Sequence, residues 1–160
     1  MSQTTSKVEE SMRYWTTLNQ AVEVNLEAGR VGQPVFVRCT AAMVESAEMM
    51  KDQLAEMIYY VNGWFSSSVC RVYALGAQVH RHLATSLEYQ SGGTALLVLA
   101  LDHDQPQVDL IVLGSSGAIY HREFVQPVRD GSLTPKVTDQ VQKIMIAVDQ
   151  SLATGKPINL

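Results

Sequence analysis

Apolar side chains recur along this chain with two different periods, and the changes between them mark the predicted elements. Apolar residues at every third or fourth position over 8–28 predict an amphipathic helix, which ends where Gly29 supplies a left-handed cap. A second stripe of this kind covers 42–65, with acidic residues such as Glu56 expected on its outer side. A third helix is expected after Thr134, a plausible N-cap, with Val137 on its apolar side and Gly155 as its end. The pattern therefore predicts three helices.

Short strands are predicted between the second and third helices, with one more after the first. Segments 35–40, 69–76 and 82–89 favour strands, and 92–124 holds three more, joined by a polar loop (102–107) and a turn (114–117). Residues 95–101 are apolar at every position, which indicates a strand with both faces hidden from water. Helices set apart from antiparallel strands indicate an α+β fold. We expect an open-faced, mostly antiparallel six-stranded sheet with about three helices packed on one face.

The second face of this sheet has no predicted cover. Helices are about 10 Å wide and strands about 4.8 Å apart, so three helices cover one face of six strands. The other face keeps the apolar side chains of Leu96, Val98 and Ala100, and an apolar face of this extent normally marks an interface. Because a two-fold axis matches one patch to itself, we expect a homodimer through this face.

Composition excludes several classes of protein. Apolar residues make up 46% and charged residues 18%, with a net charge of -4 and no basic run, so neither nucleic acid nor an anionic membrane is an expected partner. No apolar stretch is long enough to span a membrane. Residues 1–7 are polar without a secretory signal and are expected to be disordered, followed by a single domain over 8–160. Cys39 and Cys70 are expected to be free thiols of a cytoplasmic protein.

No motif in the chain indicates a reaction. The dinucleotide fingerprint, the Walker loop and the common hydrolase and zinc motifs are absent from the sequence, and we expect no cofactor. The turn 114–117 could offer amides to an anion, but a hairpin is favoured. His80 and His82 lack a third ligand, the histidine and aspartates of 102–104 form a polar loop tip, and His121 has no identifiable acidic partner. No metal site is therefore expected.

One aromatic set has two interpretations. Arg13, Tyr14 and Trp15 on the first helix could line a pocket for a sugar-like polyol together with Tyr59, Tyr60 and Trp64 on the second. The plainer interpretation is that these side chains fill space between the helices and the sheet.

Several segments in order give the chain a family resemblance. These are the segment from Met12-Arg-Tyr through LEAGRVGQPVFVR (26–38), GWF (63–65) followed by VCRVYA (69–74), GGTALLVLAL (92–101), LIVLGSSGAIYHREF (110–124) and SLATGKPINL (151–160). Together they resemble the C-terminal domain of the Gfo/Idh/MocA family of NAD(P)-dependent sugar oxidoreductases, named for glucose-fructose oxidoreductase, inositol dehydrogenase and rhizopine catabolism. The resemblance covers about residues 8–160.

This resemblance implies a domain that binds a sugar-like substrate and forms oligomers through its open sheet face. In the family, a Rossmann domain binds the cofactor and supplies a lysine from a Glu-Lys-Pro motif, and neither feature occurs in this sequence. The family's histidine and aspartate, one helical turn apart, correspond to Met57 and Tyr60 here. Methionine cannot transfer a proton, and tyrosine, with a reference pKa near 10, is a poor base at neutral pH.

Two main hypotheses follow from these residues. The first is a non-catalytic relative of the substrate domain that homodimerises and binds a small polar ligand or a protein partner, with Arg13, Tyr14, Met57, Tyr60 and Trp64 as ligand-binding candidates. The alternative is a substrate-binding subunit whose Rossmann domain is on a separate chain. A remnant kept for interaction alone is a third possibility.

Overall fold

The computed structural model of the protein describes residues 4–44, 47–76, 81–101, 107–124 and 137–160, with side chains throughout except at 4–14, 43–44 and 47–48. The helices are α1 (Thr4–Glu27), α2 (Ala47–Trp64) and α3 (Asp139–Thr154). The strands are β1 (Pro34–Val44), β2 (Val69–Leu75), β3 (His82–Tyr89), β4 (Thr94–Leu101), β5 (Gln107–Gly114), β6 (Ala118–Phe124) and β7 (Ile158–Asn159).

The strands form one sheet in the order β6-β5-β1-β4-β3-β2-β7. Strand β1 runs parallel to β4, and every other neighbouring pair is antiparallel. The predicted α+β fold with an open, mostly antiparallel sheet is therefore confirmed. The sheet has seven strands rather than six because 158–159, just after the end of α3, add a short strand beside β2.

Alternate residues of each central strand face the helices. Cys39 of β1 lies level with Leu97 of β4 and Leu110 of β5, and all three are fully buried in the core with the apolar side of α2. Helix α2 packs on β1 and β4, α3 packs on β2, and α1 packs on α2. The core thus lies between one face of the sheet and the helices. No helix in the described part of the chain is long and apolar enough to cross a membrane.

Two predicted boundaries were wrong. The second helix begins at Ala47 rather than 42, because β1 continues to Val44, with Ala41 and Ala42 paired to β5. Helix α3 begins at Asp139, with Thr138 as its N-cap, and Val137 precedes it and is exposed. The expected cap Thr134 lies outside the described residues. Gly155 ends this helix in the left-handed conformation, as predicted.

The first helix is longer than its pattern indicated. It spans Thr4–Glu27, so its first turn falls within the segment predicted to be a disordered N-terminus. Gly29, with a φ of 70°, follows its last turn and donates its backbone N–H to Leu26 O at 3.0 Å. The left-handed residue expected after this helix is thus confirmed.

Part of the polar side of α2 is buried, contrary to the expectation for Glu56, although Asp52 on the same helix is exposed as expected. This side chain is only 2% exposed, and the neighbouring Gln53 is fully buried. Helix α1 packs against α2 here, and Trp15 Nε1 donates to Gln53 Oε1 at 3.2 Å. Because α1 and α3 pack beside α2 above the sheet, the part of its polar side that holds Gln53 and Glu56 faces protein rather than water.

Candidate functional site

A polar pocket of about 440 Å³ lies on the helix side of the molecule. It opens where α1, the C-terminal half of α2 and the start of α3 meet. Its described lining comes from all three helices: Thr16, Asn19, Gln20, Glu23, Tyr59, Tyr60, Asn62, Gly63, Thr138, Gln140 and Val141. Most of these side chains are hydrogen-bonding but uncharged, which suits a polar ligand better than an apolar one.

Helix α1 supplies one wall because its polar residues share a face. Thr16, Asn19, Gln20 and Glu23 follow the three-and-four spacing that places side chains on one side of a helix. The opposite side carries buried apolar residues such as Leu18 and Val22, which fix the rotation of the helix. Packing of the apolar side therefore directs the polar side at the pocket.

Helix α2 supplies the aromatic part of the lining. Tyr60 is 95% buried, and its hydroxyl lies 3.2 Å from Thr16 Oγ1 across the gap between α1 and α2. The Tyr59 ring meets the Tyr60 ring edge to face, with centroids 5.2 Å apart. Gly63 follows one turn later, where nothing lies within 4 Å of the position a Cβ would take. The pocket thus has two tyrosines on one wall and open space beside them.

Two asparagines of the lining are held from behind by buried aromatic donors. Trp64 Nε1 donates to Asn19 Oδ1 at 2.8 Å, and the Tyr89 hydroxyl donates to Asn62 Oδ1 at 2.7 Å. Tyr89 also stacks on Phe65, and its burial raises the pKa of its hydroxyl, so the phenol keeps its proton. These bonds fix both amide groups before any ligand arrives, which lowers the entropy cost of binding.

The start of α3 closes the third side. Thr138 caps this helix, and its Oγ1 accepts from Val141 N at 3.2 Å. The N-terminal end of a helix carries partial positive charge. Glu23, from α1, is the one carboxylate among the described residues of the lining. The pocket therefore combines amide and hydroxyl groups with one acid, and its described lining holds no histidine or lysine to act as a neutral-pH base.

The candidate residues from the sequence fall at different places around this pocket. Tyr60 lines it, whereas Trp64 lies behind Asn19 and donates to its Oδ1. Met57 is fully buried in the core and is not among the lining residues. Arg13 and Tyr14 lie on α1, but their side chains are outside the described part of the structure.

The sequence analysis missed four polar residues of the lining, which are Asn19, Gln20, Glu23 and Asn62. The polar stripe of α1 was the available signal for three of them, because it continues the face on which Thr16 lies. Asn62 gave no such signal, since its role depends on a hydrogen bond from Tyr89, 27 positions later in the chain.

The other chemical candidates from the sequence have structural explanations where they are described. The turn 114–117 is a hairpin turn, and its Ser115 and Ser116 N–H groups donate to Gln33 O and Val31 O, so they are not available to an anion. His121, for which no acidic partner was expected, lies with Nε2 at 3.3 Å from Glu123 Oε2. His80 and the loop 102–104 lie outside the described residues.

Both cysteines are free, as expected. Burial raises the pKa of the Cys39 thiol to about 12, with a smaller contribution from the negative charge of Asp109. This thiol therefore stays protonated and unreactive at neutral pH. No cluster of three or more histidine, cysteine or acidic residues suited to a metal ion occurs within the described ranges.

The open face of the sheet is a second candidate surface. Leu96 and Val98 of β4 are half-buried on this face, and Ala100 is buried. Arg38 and Arg122 flank Asp109, with nitrogen to oxygen distances of 3.3 and 3.1 Å. A further ion pair, between Arg71 and Glu88 at 3.6 Å, lies on the same face, so the expected apolar face carries charged side chains as well as aliphatic ones.

Solved structures with this architecture include inositol dehydrogenases and other dehydrogenases. Myo-inositol 2-dehydrogenase from Lactobacillus plantarum matches with a TM-score of 0.62 and 16% identity, over 89% of this chain and 61% of its own. Apo scyllo-inositol dehydrogenase from Lactobacillus casei matches with a TM-score of 0.67 and 12% identity, over 92% and 62%. WlbA dehydrogenase from Bordetella pertussis, in complex with NADH and UDP-GlcNAcA, matches with a TM-score of 0.61 and 14% identity, over 88% and 59%.

These matches bear on fold. A comparison with protein-family models gives no match, and neither does a comparison with curated protein sequences. The chain spans about three fifths of the length of the dehydrogenases, as expected if it corresponds to one domain of a two-domain enzyme. The predicted resemblance to Gfo/Idh/MocA oxidoreductases is therefore confirmed as a shared fold, over nearly the whole of this chain.

Proposed function

We propose that this protein is an oxidoreductase-like domain that binds a small polar, sugar-like ligand in the pocket between α1, α2 and α3 without transforming it. The observation that carries the proposal is the lining itself, in which fixed amides, tyrosine hydroxyls and one carboxylate surround about 440 Å³. Such groups match the alternating donors and acceptors of a polyol. The dehydrogenases that share the fold include myo-inositol and scyllo-inositol dehydrogenases and one solved in complex with UDP-GlcNAcA.

The absence of a catalytic step is proposed from two positions. Met57 and Tyr60 stand where the resemblance would place the histidine and aspartate of an enzyme. Met57 has no titratable group and is fully buried, and the hydroxyl of Tyr60 lies beside Thr16 Oγ1. Neither side chain suits proton abstraction from a substrate hydroxyl at neutral pH.

The ligand site can be tested with two acidic residues of α1, one that lines the pocket and one that lies outside the described lining. We expect wild-type protein to bind an inositol or a hexose in calorimetry, and Glu23→Gln to bind it roughly tenfold or more weakly. The reason is that a hydrogen bond to a charged group contributes about 1.5–3 kcal/mol. Glu27→Gln, one turn later on α1 and outside the described lining, is the matched control.

An equal loss of affinity in the two variants would place the ligand elsewhere. No binding of any member of an inositol, hexose and amino-sugar panel at millimolar concentration would remove the ligand proposal altogether.

A second candidate function is a substrate-binding subunit of an NAD(P)-dependent sugar oxidoreductase whose cofactor domain is on a separate chain. It is favoured by a neighbour crystallised with NAD(H) and scyllo-inositol. Titration with NADH distinguishes the two functions, because the domain alone should leave the cofactor fluorescence unchanged. Copurification of a Rossmann-domain protein that restores NADH binding would favour the second candidate.

We also propose that two copies pack through their open sheet faces. Leu96 and Val98 are incompletely buried there in a single chain, although they lie at the centre of the sheet. The patch is flanked by the Arg38, Asp109 and Arg122 cluster, which would give the contact a defined register. A two-fold axis parallel to this face, lying between the two sheets, would bury the patch against its own copy.

A further inference from the structure

Within the described residues, one edge of the sheet is covered and the other, β6, has no strand beside it. At the β2 edge, β7 pairs with Arg71 and Val72, and Leu160 N donates to Cys70 O at 3.0 Å. At the other end, no strand of the described chain lies beyond β6. An edge strand offers a row of unpaired backbone groups to another chain. Strand β6 is therefore the place where this sheet can grow.

Strand β6 is regular and exposed on both faces. Its pairing with β5 runs from Leu113 and Ala118 to Gln107 and Phe124 without a register shift, and it contains no proline. Tyr120 is 72% exposed on the open side of the sheet. On the helix side, the side chains of His121 and Glu123 are 36% and 51% exposed. Neither a bulge nor the helix layer thus blocks the approach of a second strand.

The direction of its backbone groups follows from the adjoining turn. Gly114 N donates to Gly117 O at 2.8 Å, which makes this the first hydrogen-bonded pair of the β5 and β6 ladder. Such pairs alternate along an antiparallel ladder, so every second residue of β6 directs its N–H and C=O outward. These residues are Ala118, Tyr120, Arg122 and Phe124.

We propose that β6 pairs antiparallel with β6 of a second copy about a two-fold axis at His121, joining the two sheets into one. In this register all the outward-facing residues find partners. Tyr120 lies opposite Arg122 of the second copy on the open side, where an aromatic ring and a guanidinium group attract each other. The two His121 side chains meet at the axis.

Neighbouring registers are less favourable. An axis at Arg122 would set two guanidinium groups directly opposite each other, which is destabilising. An axis at Tyr120 would leave Glu123 and Phe124 without partners, because the opposing residues would belong to the 114–117 turn. Charge repulsion disfavours the axis at Arg122 and lost pairing disfavours the axis at Tyr120, so the axis at His121 is preferred to both.

This edge contact is distinct from the proposed face contact and does not depend on it. Face packing uses side chains such as Val98, at the centre of the sheet, whereas edge pairing uses the backbone of β6. The two contacts together would give an assembly of four chains, in which one two-fold axis relates the open faces and another relates the β6 edges.

A cysteine at the axis tests the register directly. The two copies of residue 121 form a non-hydrogen-bonded pair of the antiparallel ladder. The Cα atoms of such a pair are about 4.5 Å apart, within the range of about 4.4–6.8 Å found in disulfides. We expect His121→Cys to run as a covalent dimer on a non-reducing gel after mild oxidation. Glu123→Cys is the matched control on the same strand and face, since its equivalent on the second copy would be ~14 Å away.

The native thiols are common to both variants, and the Cys39 thiol, with its raised pKa, does not react. A covalent dimer from His121→Cys alone supports the edge pairing. Equal dimer from both variants, or from neither, overturns it.

A second measurement tests the edge pairing even if the cysteine variant fails to fold. In a Val98→Asp background, where the face contact is removed, we expect sedimentation to show two chains. Adding His121→Glu should reduce this to one, because two carboxylates then oppose each other at the axis. A Val98→Asp protein that is already a single chain overturns the edge pairing, although it supports the face contact if wild type sediments as two chains.

Discussion

Single buried polar groups decide how firmly the elements are joined, and Ser151 is the clearest example. It is fully buried on α3, where its hydroxyl accepts from Ala74 N at 2.9 Å and donates to Lys156 O at 2.8 Å. One side chain thus satisfies the N–H of Ala74, which lies past the part of β2 that pairs with β7, and the carbonyl of Lys156 in the turn after α3. The same hydroxyl holds α3 against β2.

We predict that Ser151→Ala lowers the free energy of unfolding by about 1–3 kcal/mol, because it leaves two backbone groups without partners. Thr154→Ala is the control, since its hydroxyl donates to Gln150 O and accepts from Lys156 N at an exposed site where water can replace it, so its loss should change stability by less than about 0.5 kcal/mol. Urea unfolding of the two variants measures the difference. Equal stabilities would mean that water replaces the Ser151 hydroxyl.

The sequence could not reveal this kind of residue. Ser151 belongs to the SLATGKPINL segment that carried part of the resemblance, but its partners are set by where β2 ends and where β7 begins. Glu56 was placed on the wrong side for a similar reason, since periodicity gives the polar face of a helix but not whether another helix covers it.

At the scale of elements, the hairpin between β5 and β6 holds the connection from α1 to β1. Ser116 N donates to Val31 O, Ser115 N donates to Gln33 O, and Gln33 N donates to Ser115 Oγ at 3.0 Å. A Cβ added at Gly117 would overlap the Arg30 carbonyl oxygen. Glycine is therefore required here by close approach of two backbones.

We expect Gly117→Ala to destabilise the protein by about 1–3 kcal/mol through overpacking. Gly63→Ala is a matched change without a clash, and it should be neutral or stabilise by up to about 1 kcal/mol because alanine favours a helix. Thermal unfolding distinguishes the two. A neutral Gly117→Ala would show that the turn can move away from Arg30.

Most elements were predictable from local pattern, and the start of α2 is an exception with a clear cause. Strands β2 and β3 and the C-terminal end of α3 follow alternation and capping signals that lie within the segment itself. The start of α2 did not, because residues 42–44 carry a helical pattern but extend β1, where Ala42 pairs with β5 and Val44 with β4. Tertiary pairing overrode local preference at that point.

At the scale of the molecule, the pocket and the open face lie on opposite sides of one sheet. The pocket needs three helices from distant parts of the chain, so the sequence indicated Tyr60 but not its neighbours Asn19 and Asn62. The open face was easier to predict, because residues 95–101 are apolar at every position. Its use as an interface can be tested without disturbing the pocket.

Val98→Asp is the change that tests this face. Val98 lies between Thr40 of β1 and Ala84 of β3 on the side away from the helices. A carboxylate there stays in water in a single chain, but in a dry contact without a partner it costs several kcal/mol. We therefore expect a folded protein whose sedimenting mass is half that of wild type. Val24→Asp, at a 59% exposed position on α1, should keep the full mass.

The two possible products have different meanings. A fall from two chains to one would leave the open face as the sole contact, whereas a fall from four to two would require a second one, for which the β6 edge is the available surface. A Val98→Asp protein with unchanged mass and an unchanged melting curve would show that the open face is not an interface. The half-buried Leu96 and Val98 would then be a tolerated exposure of the sheet rather than a binding surface.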